Sequence, residues 1–538
     1  MPGGFRIVKI AKILAIILGI LIVVIVAIPF LIDVNTFRPR LESELTGAMG
    51  REVKVGNLSL SLLSGAMSAD NISIADDPQF SKQPFVQAKS LKVGVELMPL
   101  IFSKTLNVTD LTLNQPQIDL VRSENGEKWN FSSLGGNNPA AAAKPAQSTT
   151  PSSPASNPNI SVAKLNIRDG RLTLSRAGAS EKPKIYDKVN IEVTSFSLTS
   201  SFPFKMTAEL PANGSLDISG TAGPIDQNDA AATPLQAKLS VKGLNLAQSG
   251  FIDPASGISG IADLNETLTS DGHEAKTNGT LKATSLQVAP KGSPAGKPVE
   301  VTYAVVHNLG KETGTITQGD VAMGKAVAHL TGTYDAHGKI TVVNLKLNGQ
   351  GMPVDDLEAM LPACGIVLPP KATLKSGSLN INLTTEGPVD KLVTTGTIRL
   401  ENSELANFDL GSKLAAVSAL SGKQTGNNTT IQNFSSEVHV APEGTQASNI
   451  NLNVPAIGVV TGDGTVSPSN ELAFKMNAAV QGMDVPFGVS GTTSDPKFQP
   501  DVKGIAGSLL KNALNGKSNG QQNPLNNVMG LFGKKKPQ

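Results

Sequence analysis

From Leu91 to Leu97 the chain alternates without a break, with Leu91, Val93, Val95 and Leu97 on one side and Lys92, Gly94 and Glu96 on the other. A period of two belongs to a half-buried strand, whose successive side chains point to opposite faces. The same alternation occurs at Val53/Val55, Leu58/Leu60/Leu62, Ile72/Ile74, Leu111/Leu113 and Ile118/Leu120. It resumes at Leu165/Ile167 and Leu172/Leu174 and continues through Val189/Ile191/Val193, Leu216/Ile218, Leu235/Ala237/Leu239/Val241, Val299/Val301/Tyr303/Val305 and Leu379/Ile381/Leu383. A short phrase, glycine then Ser or Thr then a β-former, recurs at Gly214, Gly279, Gly332, Gly377, Gly396 and Gly464 and is expected to open strands. Its irregular spacing excludes a fixed-period solenoid.

The period changes in few places. Residues 13–32 form an uncharged apolar run that, as a helix, is long enough to span a bilayer. Arg6, Lys9 and Lys12 precede it, so the positive-inside bias predicts a cytoplasmic N-terminus (1–12), a transmembrane helix (13–32) and an exported remainder. A cleaved signal peptide is the competing reading, but its apolar region is normally shorter and ends in a small-x-small site. After the run, Asn35 or Thr36 can cap an amphipathic helix carrying Leu41, Leu45 and Met49, which Gly50 stops. Pro353–Leu361 and Leu410–Leu420 are expected to be short helices among the strands. Alanine, proline, serine and threonine dominate 135–159, the composition of a flexible linker. The predicted order is a β module at 33–134, that linker, a β body at 160–504 and a polar, disordered tail at 505–538. In the tail, Leu525, Val528, Met529 and Phe532 fall at helical spacing before three lysines, a stripe that could rest on an anionic membrane.

Composition narrows the chemistry. Charged residues are 17% and the net charge is +2, which excludes a nucleic-acid binder that works by a strongly basic surface. Aromatics at 4% and 52 glycines suit short strands and turns better than a wide aromatic core. Cys364 is the sole cysteine, so no intramolecular disulfide can form. No pair of the five histidines stands at metal-ligand spacing, and Asn515–Ser518 only echoes the end of a phosphate loop, with Lys511 where its leading glycine belongs. Asp76-Asp77 and Asp355-Asp356 read as turn and cap residues rather than acid–base pairs. The expectation is a protein that is not an enzyme and has no catalytic residue, metal or cofactor.

The stretches Leu45–Val55, Leu97–Ile101, Asn114–Leu120, Asn125–Asn130 and Val485–Asp501, together with the single apolar run, resemble the AsmA-like family of bacterial envelope proteins. The resemblance implies a mainly β fold: one transmembrane helix, then an elongated, curled, antiparallel-type sheet forming a gutter with a few short helices, as in bridge-like lipid transfer proteins. It implies a single-pass inner-membrane protein with its bulk in the periplasm, moving phospholipids between inner and outer membranes. Its expected partners are phospholipid acyl chains, the inner membrane and an unidentified outer-membrane or envelope protein, with no nucleic acid. Alternation independently gives each strand an aliphatic face, and the candidates for a lipid-facing wall are Leu91, Val93, Val95, Leu97, Leu111, Leu113, Val189, Ile191, Val193, Leu379, Ile381 and Leu383. A closed sandwich or barrel with a dry core would satisfy the same pattern, and an assembly factor for outer-membrane proteins is the alternative function.

Overall fold

The computed structural model describes residues 33–507 apart from 62–65, 97, 100–107, 125, 127, 135–160, 179–182, 251, 253–255, 339, 415–425 and 481–482. The expected membrane helix, the linker, Leu62, Leu97 and the tail beyond 507 lie outside the described residues. Among those described, no helix is long and apolar enough to cross a membrane, a statement that does not bear on strands. Among the described residues the fold is mainly β, 25 strands in unclosed sheet with a few short helices. Two compact units are distinguished, and each is treated by itself.

The first unit opens with a 3-10 turn, Val34–Phe37, capped by Asp33, and helix α1, Arg38–Met49. Gly50, at φ 67°, ends the helix in the left-handed conformation that a Cβ disfavours. The strands follow: β1 (Val53–Val55), β2 (Leu58–Ser61), β3 (Ala66–Ala75), β4 (Pro84–Val95), β5 (Val108–Arg122), β6 (Ser161–Arg176), β7 (Lys184–Ser197), β8 (Phe202–Leu210), β9 (Gly214–Ala222) and β10 (Leu235–Asn245). β1 and β2 both pair with β3, and from there each strand pairs with the next. The sheet is antiparallel except at β5–β6, which run parallel. A hairpin cannot join parallel strands, and the long stretch after Arg122 provides the crossover instead.

One line across this sheet departs from regular strand geometry. Asn71 in β3, Gln115 in β5, Asp169 in β6 and Lys188 in β7 all have φ between 49° and 54°. The flanking registers set Asn71 opposite Lys89, Lys89 opposite Gln115 and Gln115 opposite Asp169, with register shifts beside Asp169 and Lys188. Left-handed residues at this level bend β3, β5, β6 and β7, with Lys89 of β4 between them in no such conformation, so the sheet is creased instead of flat. The side chains stitch the crease: Gln115 Nε2 donates to Asp169 Oδ2 at 3.0 Å, and the Asp169 N–H donates to Asn190 Oδ1 at 3.1 Å.

β11 (Ser259–Ser270), β12 (Glu274–Gln287) and β13 (Val299–Asn308) are divided between the units. The second unit continues with β14 (Thr313–Met323), β15 (Ala326–Asp335), β16 (Val342–Pro353), β17 (Thr373–Lys375), β18 (Ser378–Pro388) and β19 (Val393–Ala406). Then come β20 (Thr429–Ala441), β21 (Gly444–Val454), β22 (Gly458–Val466), β23 (Leu472–Val480), β24 (Met483–Gly491) and β25 (Pro496–Pro500). From β14 onward neighbours pair antiparallel, with β17 inserted as a short partner of β19. The expected helix at 353–361 is α2 (Val354–Leu357) followed by 3-10 turns to Cys364, and the one at 410–420 is described as α3 (Leu410–Lys413).

The glycine phrase requires correction. Gly214 and Gly377 do stand at strand starts, whereas Gly279, Gly332, Gly396 and Gly464 lie inside β12, β15, β19 and β22. At Gly332, Gly396 and Gly464 the role is close approach: a Cβ on Gly396 would sit 2.0 Å from the carbonyl oxygen of Asn382 on the next strand.

Candidate functional site

The register of the first unit strings its apolar side chains into rows that cross the strands. One row runs Leu58–Ala69–Leu91–Leu113–Ile167–Ile191–Met206–Ile218–Leu239. Beside it runs Leu60–Met67–Val93–Leu111–Leu165–Val193–Phe204–Gly220–Ala237. The opposite face is polar, with Lys92–Thr112–Asn166–Glu192–Lys205–Ser219–Lys238 in register. Exposed ion pairs such as Lys205–Asp217 at 3.6 Å decorate that side, each worth at most about 1 kcal/mol.

The two ends of these rows differ in cover. Over β3 and β4, Leu41 of α1 joins Val53, Val55, Met67, Ala69, Leu91, Val93 and Val95 in one packed core, with Leu45, Met49, Phe131 and Leu134 against it. Val93 and Met67 have no exposed surface. Leu111 and Leu113 of β5 still pack against that core, and from β6 onward the cover thins: Leu165, Ile167, Ile191, Phe204, Met206, Ile218 and Leu239 are half-buried outside it, while Val189, Val193 and Ala237 are buried. The face is therefore a sealed core at one end and an open apolar wall beyond it.

The helical cap is fastened by hydrogen bonds that also quench an edge. The side chains of Asn35, Glu42 and Thr46 accept from the N–H groups of Leu58, Val55 and Val53 at 2.8, 2.9 and 3.0 Å. Those donors face outward from β1 and β2 and would otherwise offer a free edge.

A buried polar knot closes the same end. Arg51 donates to Asp76 Oδ1 at 3.3 Å, to Ser133 Oγ at 2.6 Å and to the carbonyl of Asn130. Asn130, with no exposed surface, donates to both oxygens of Asp76 and to the carbonyl of Asp119, and accepts from the Val121 N–H. Burial raises Asp76 above its ordinary value although Asn130, the Asp77 N–H and Arg51 pull it down. The knot pins residues 129–134 over the core, a structural duty for Asp76 that goes beyond a turn.

In the second unit the corresponding rows are Leu330–Leu347–Leu383–Gly396–Val438–Ala447–Gly464–Phe474–Val489–Phe498 and Met352–Leu379–Leu400–Phe434–Leu452–Val460–Ala478–Val485. Leu379 and Ile381 pack beside Met352 and Leu357, and Leu383 is half-buried. Toward β25 the wall again becomes a core, as Leu410, Leu414 and Ile505 pack with Val460, Ala478, Val485 and Phe487. A shallow hollow is lined by the polar residues Thr395, Thr397, Glu437, His439, Gln446 and Ser448 together with Gly396 and Val438 of the first of these rows.

The twelve wall candidates thus divide. Leu91, Val93 and Val95 belong to the sealed core, Leu111 and Leu113 pack against its edge, Leu97 lies outside the described residues, and Val189, Ile191 and Val193 fall in one strip of the first unit. Leu379, Ile381 and Leu383 share one face in the second. Phe204 and Met206 complete the first strip and were not among the candidates, although Phe202-Pro-Phe-Lys-Met-Thr-Ala-Glu-Leu210 alternates as cleanly as any strand. No group of three or more metal-ligating side chains occurs among the described residues.

No curated protein and no solved structure gives a significant match to the chain. Residues 7–303, more than half its length, match the AsmA family. That span contains α1, the polar knot and the whole wall of the first unit, but ends before Val485–Asp501. The chain belongs to the AsmA family.

Proposed function

We propose that this protein carries phospholipid on its apolar wall, anchored in a bacterial inner membrane by residues 13–32 and exposing its β body to the periplasm. In this reading it passes lipid between the inner and outer membranes without catalysis. The observation that carries the proposal is the largely half-buried double row from Leu165/Ile167 to Ala237/Leu239, backed by polar side chains in register from Asn166 to Lys238 on the outer face.

The energetics suit transit. Each methylene removed from water is worth about 0.8 kcal/mol, so an acyl chain cannot cross an aqueous gap bare. A bilayer already supplies that burial, so a carrier need only match it. A wall that covers one side of a chain holds lipid without trapping it, whereas a closed cavity would slow release.

The test is lipid analysis of the detergent-purified full chain with a photo-crosslinking residue at Ile191 or Met206 and, as control, at Lys205. The proposal expects phospholipid adducts at the first two positions and few at the third. Polypeptide adducts at Ile191 and Met206 in place of lipid would favour an assembly factor for outer-membrane proteins, and equal labelling at all three would remove the wall as a site.

A further inference from the structure

We propose that residues 288–297 form an arm across the apolar face of the second unit, latched by Lys291 to the turn after β22, and that this latch gates the entry of lipid chains onto the strip between β14 and β22. The proposal rests on the lipid-carrier reading and extends it to the second unit. Lys291 Nζ donates to the carbonyl oxygen of Pro468 at 3.4 Å, although the two residues are 177 positions apart. The strands between them pair in the order β14, β15, β16, β18, β19, β20, β21, β22. Those seven steps of about 4.8 Å would part the flanks by about 34 Å in a flat sheet. The sheet therefore curves until one loop reaches from flank to flank.

The packing of the arm identifies the concave face. Ala295 clusters with Val299 of β13, Met323 of β14 and Ala363, and Leu357 of the adjoining segment packs with Met352, Leu379 and Ile381. These side chains belong to the apolar face, so the arm lies on that face and meets Pro468 across it. Leu330, Leu347, Leu383 and Val438, all half-buried, run between the flanks that the arm joins.

The two attachments of the arm differ in kind. On the near flank the N–H groups of Val288, Ser293 and Gly296 donate to the carbonyls of Ala363, Pro362 and Ala359 at 3.1, 2.8 and 3.1 Å, and Lys297 pairs with Asp356 at 2.7 Å. On the far flank the bond is made by Lys291, an exposed side chain on a flexible stem, for which water competes. Its acceptor is preset, because the Ser467 hydroxyl accepts from the N–H groups of Ser469 and Glu471 at 3.3 and 3.1 Å and so holds the turn that carries Pro468. An arm fixed by backbone bonds on one side and by a lysine on the other hinges at the first and releases at the second. Closed, it shields a chain on the strip from water and bars a headgroup from passing sideways; open, it lets the lipid on or off.

The experiment uses full-length protein carrying Lys291→Cys and Pro468→Cys, with Cys364→Ser to remove the exposed native thiol. A photo-crosslinking residue replaces Leu383 on the strip or, in a parallel sample, Ile191 on the wall of the first unit. Deuterated phosphatidylethanolamine is added in mixed micelles, and labelled adducts are followed over time by mass spectrometry with the cysteine pair oxidised and then reduced. A disulfide is expected to form in the folded protein and to slow labelling at Leu383 at least fivefold, with recovery on reduction and no change at Ile191. Lys291→Ala, which breaks the latch without a cross-link, is expected to speed labelling at Leu383 at least twofold. Circular dichroism and the unfolding midpoint establish that the variants are folded. Failure of the disulfide to form in folded protein overturns the meeting of the flanks, and equal rates at Leu383 in the oxidised and reduced states overturn the gate. Labelled adducts at Ile191 with none at Leu383 also overturn the gate while leaving the carrier reading intact. Adducts at neither position overturn the carrier reading itself.

Discussion

The side-chain amide of Asn130 donates to both carboxylate oxygens of Asp76 at 3.1 Å, although the two residues are 54 positions apart and both are buried. Arg51 completes the knot from the turn after α1. Asn130→Ala removes donors to a buried carboxylate and the acceptor of the Val121 N–H, a loss expected to cost about 2–4 kcal/mol. Urea denaturation of the folded variant measures it; a change under about 0.5 kcal/mol would show that residues 129–134 are held by other contacts.

Asp76 also sets a pH dependence. Desolvation raises its folded pKa above the ordinary 3.8, against the opposing hydrogen bonds and Arg51. The folded state then holds the proton more tightly than the unfolded chain. The resulting stability is fully present below the ordinary value and is lost as pH rises through the raised one. Asp76→Asn should flatten the stability–pH curve in that window, by denaturation at several pH values across the carboxylate range. An equal slope in both proteins would assign the titration elsewhere.

Val93 and Ile191 lie in neighbouring rows of the same apolar face but in different surroundings. Val93 has no exposed surface beneath α1, whereas Ile191 is half-buried on the open wall. Val93→Asp is expected to destabilise the cap by about 3 kcal/mol or more through an unpaired buried charge. Ile191→Asp should cost less than about 1.5 kcal/mol, because its carboxylate stays hydrated, yet reduce bound phospholipid. Melting curves and lipid analysis of the two variants separate the positions, and equal loss of stability would mean that Ile191 is covered.

That contrast marks what the sequence discloses. The alternation at Leu91–Val95 and at Val189–Val193 is the same, so both read as half-buried strands, and both are strands. Which of them lies under α1 depends on Leu41, Leu45 and Met49, far away in the chain, and strand periodicity carries no record of that contact. The parallel pairing of β5 with β6 was hidden for a similar reason: it is decided by the path of the crossover. Left-handed Gln115 and Lys188 give no local signal, because neither residue type favours that conformation, and only Asn71 and Asp169 belong to types enriched there. Helix α1 was legible because its spacing of apolar residues and its terminal Gly50 are local features.

The cap over the first edge yields a separate test. Glu42 accepts from the Val55 N–H and pairs with Arg38 at 3.2 Å. Glu42→Ala frees that donor on β1 and is expected to cost about 1–2 kcal/mol. It should also expose an edge able to pair with another chain, seen as faster aggregation at equal stability when compared with a destabilised core variant. Aggregation that follows stability alone would show that the edge remains covered by α1 itself.

The crease can be tested at Asp169, whose φ of 52° is uncommon for any residue but least tolerable for a β-branched one. Asp169→Val brings left-handed strain of about 1–2 kcal/mol and removes the acceptor of Gln115 Nε2. A total cost near 2 kcal/mol is expected. Asp169→Gly loses the same hydrogen bond but relieves the conformation, so it should fall within about 1 kcal/mol of the unaltered protein. The difference between the two variants isolates the backbone from the side chain. Hydrogen exchange should locate the effect of the valine in β5, β6 and β7, around Gln115 and Asn190, and leave the α1 core protected. If valine and glycine prove equally stable, Asp169 is not held in a left-handed conformation, and the line from Asn71 to Lys188 does not bend the sheet.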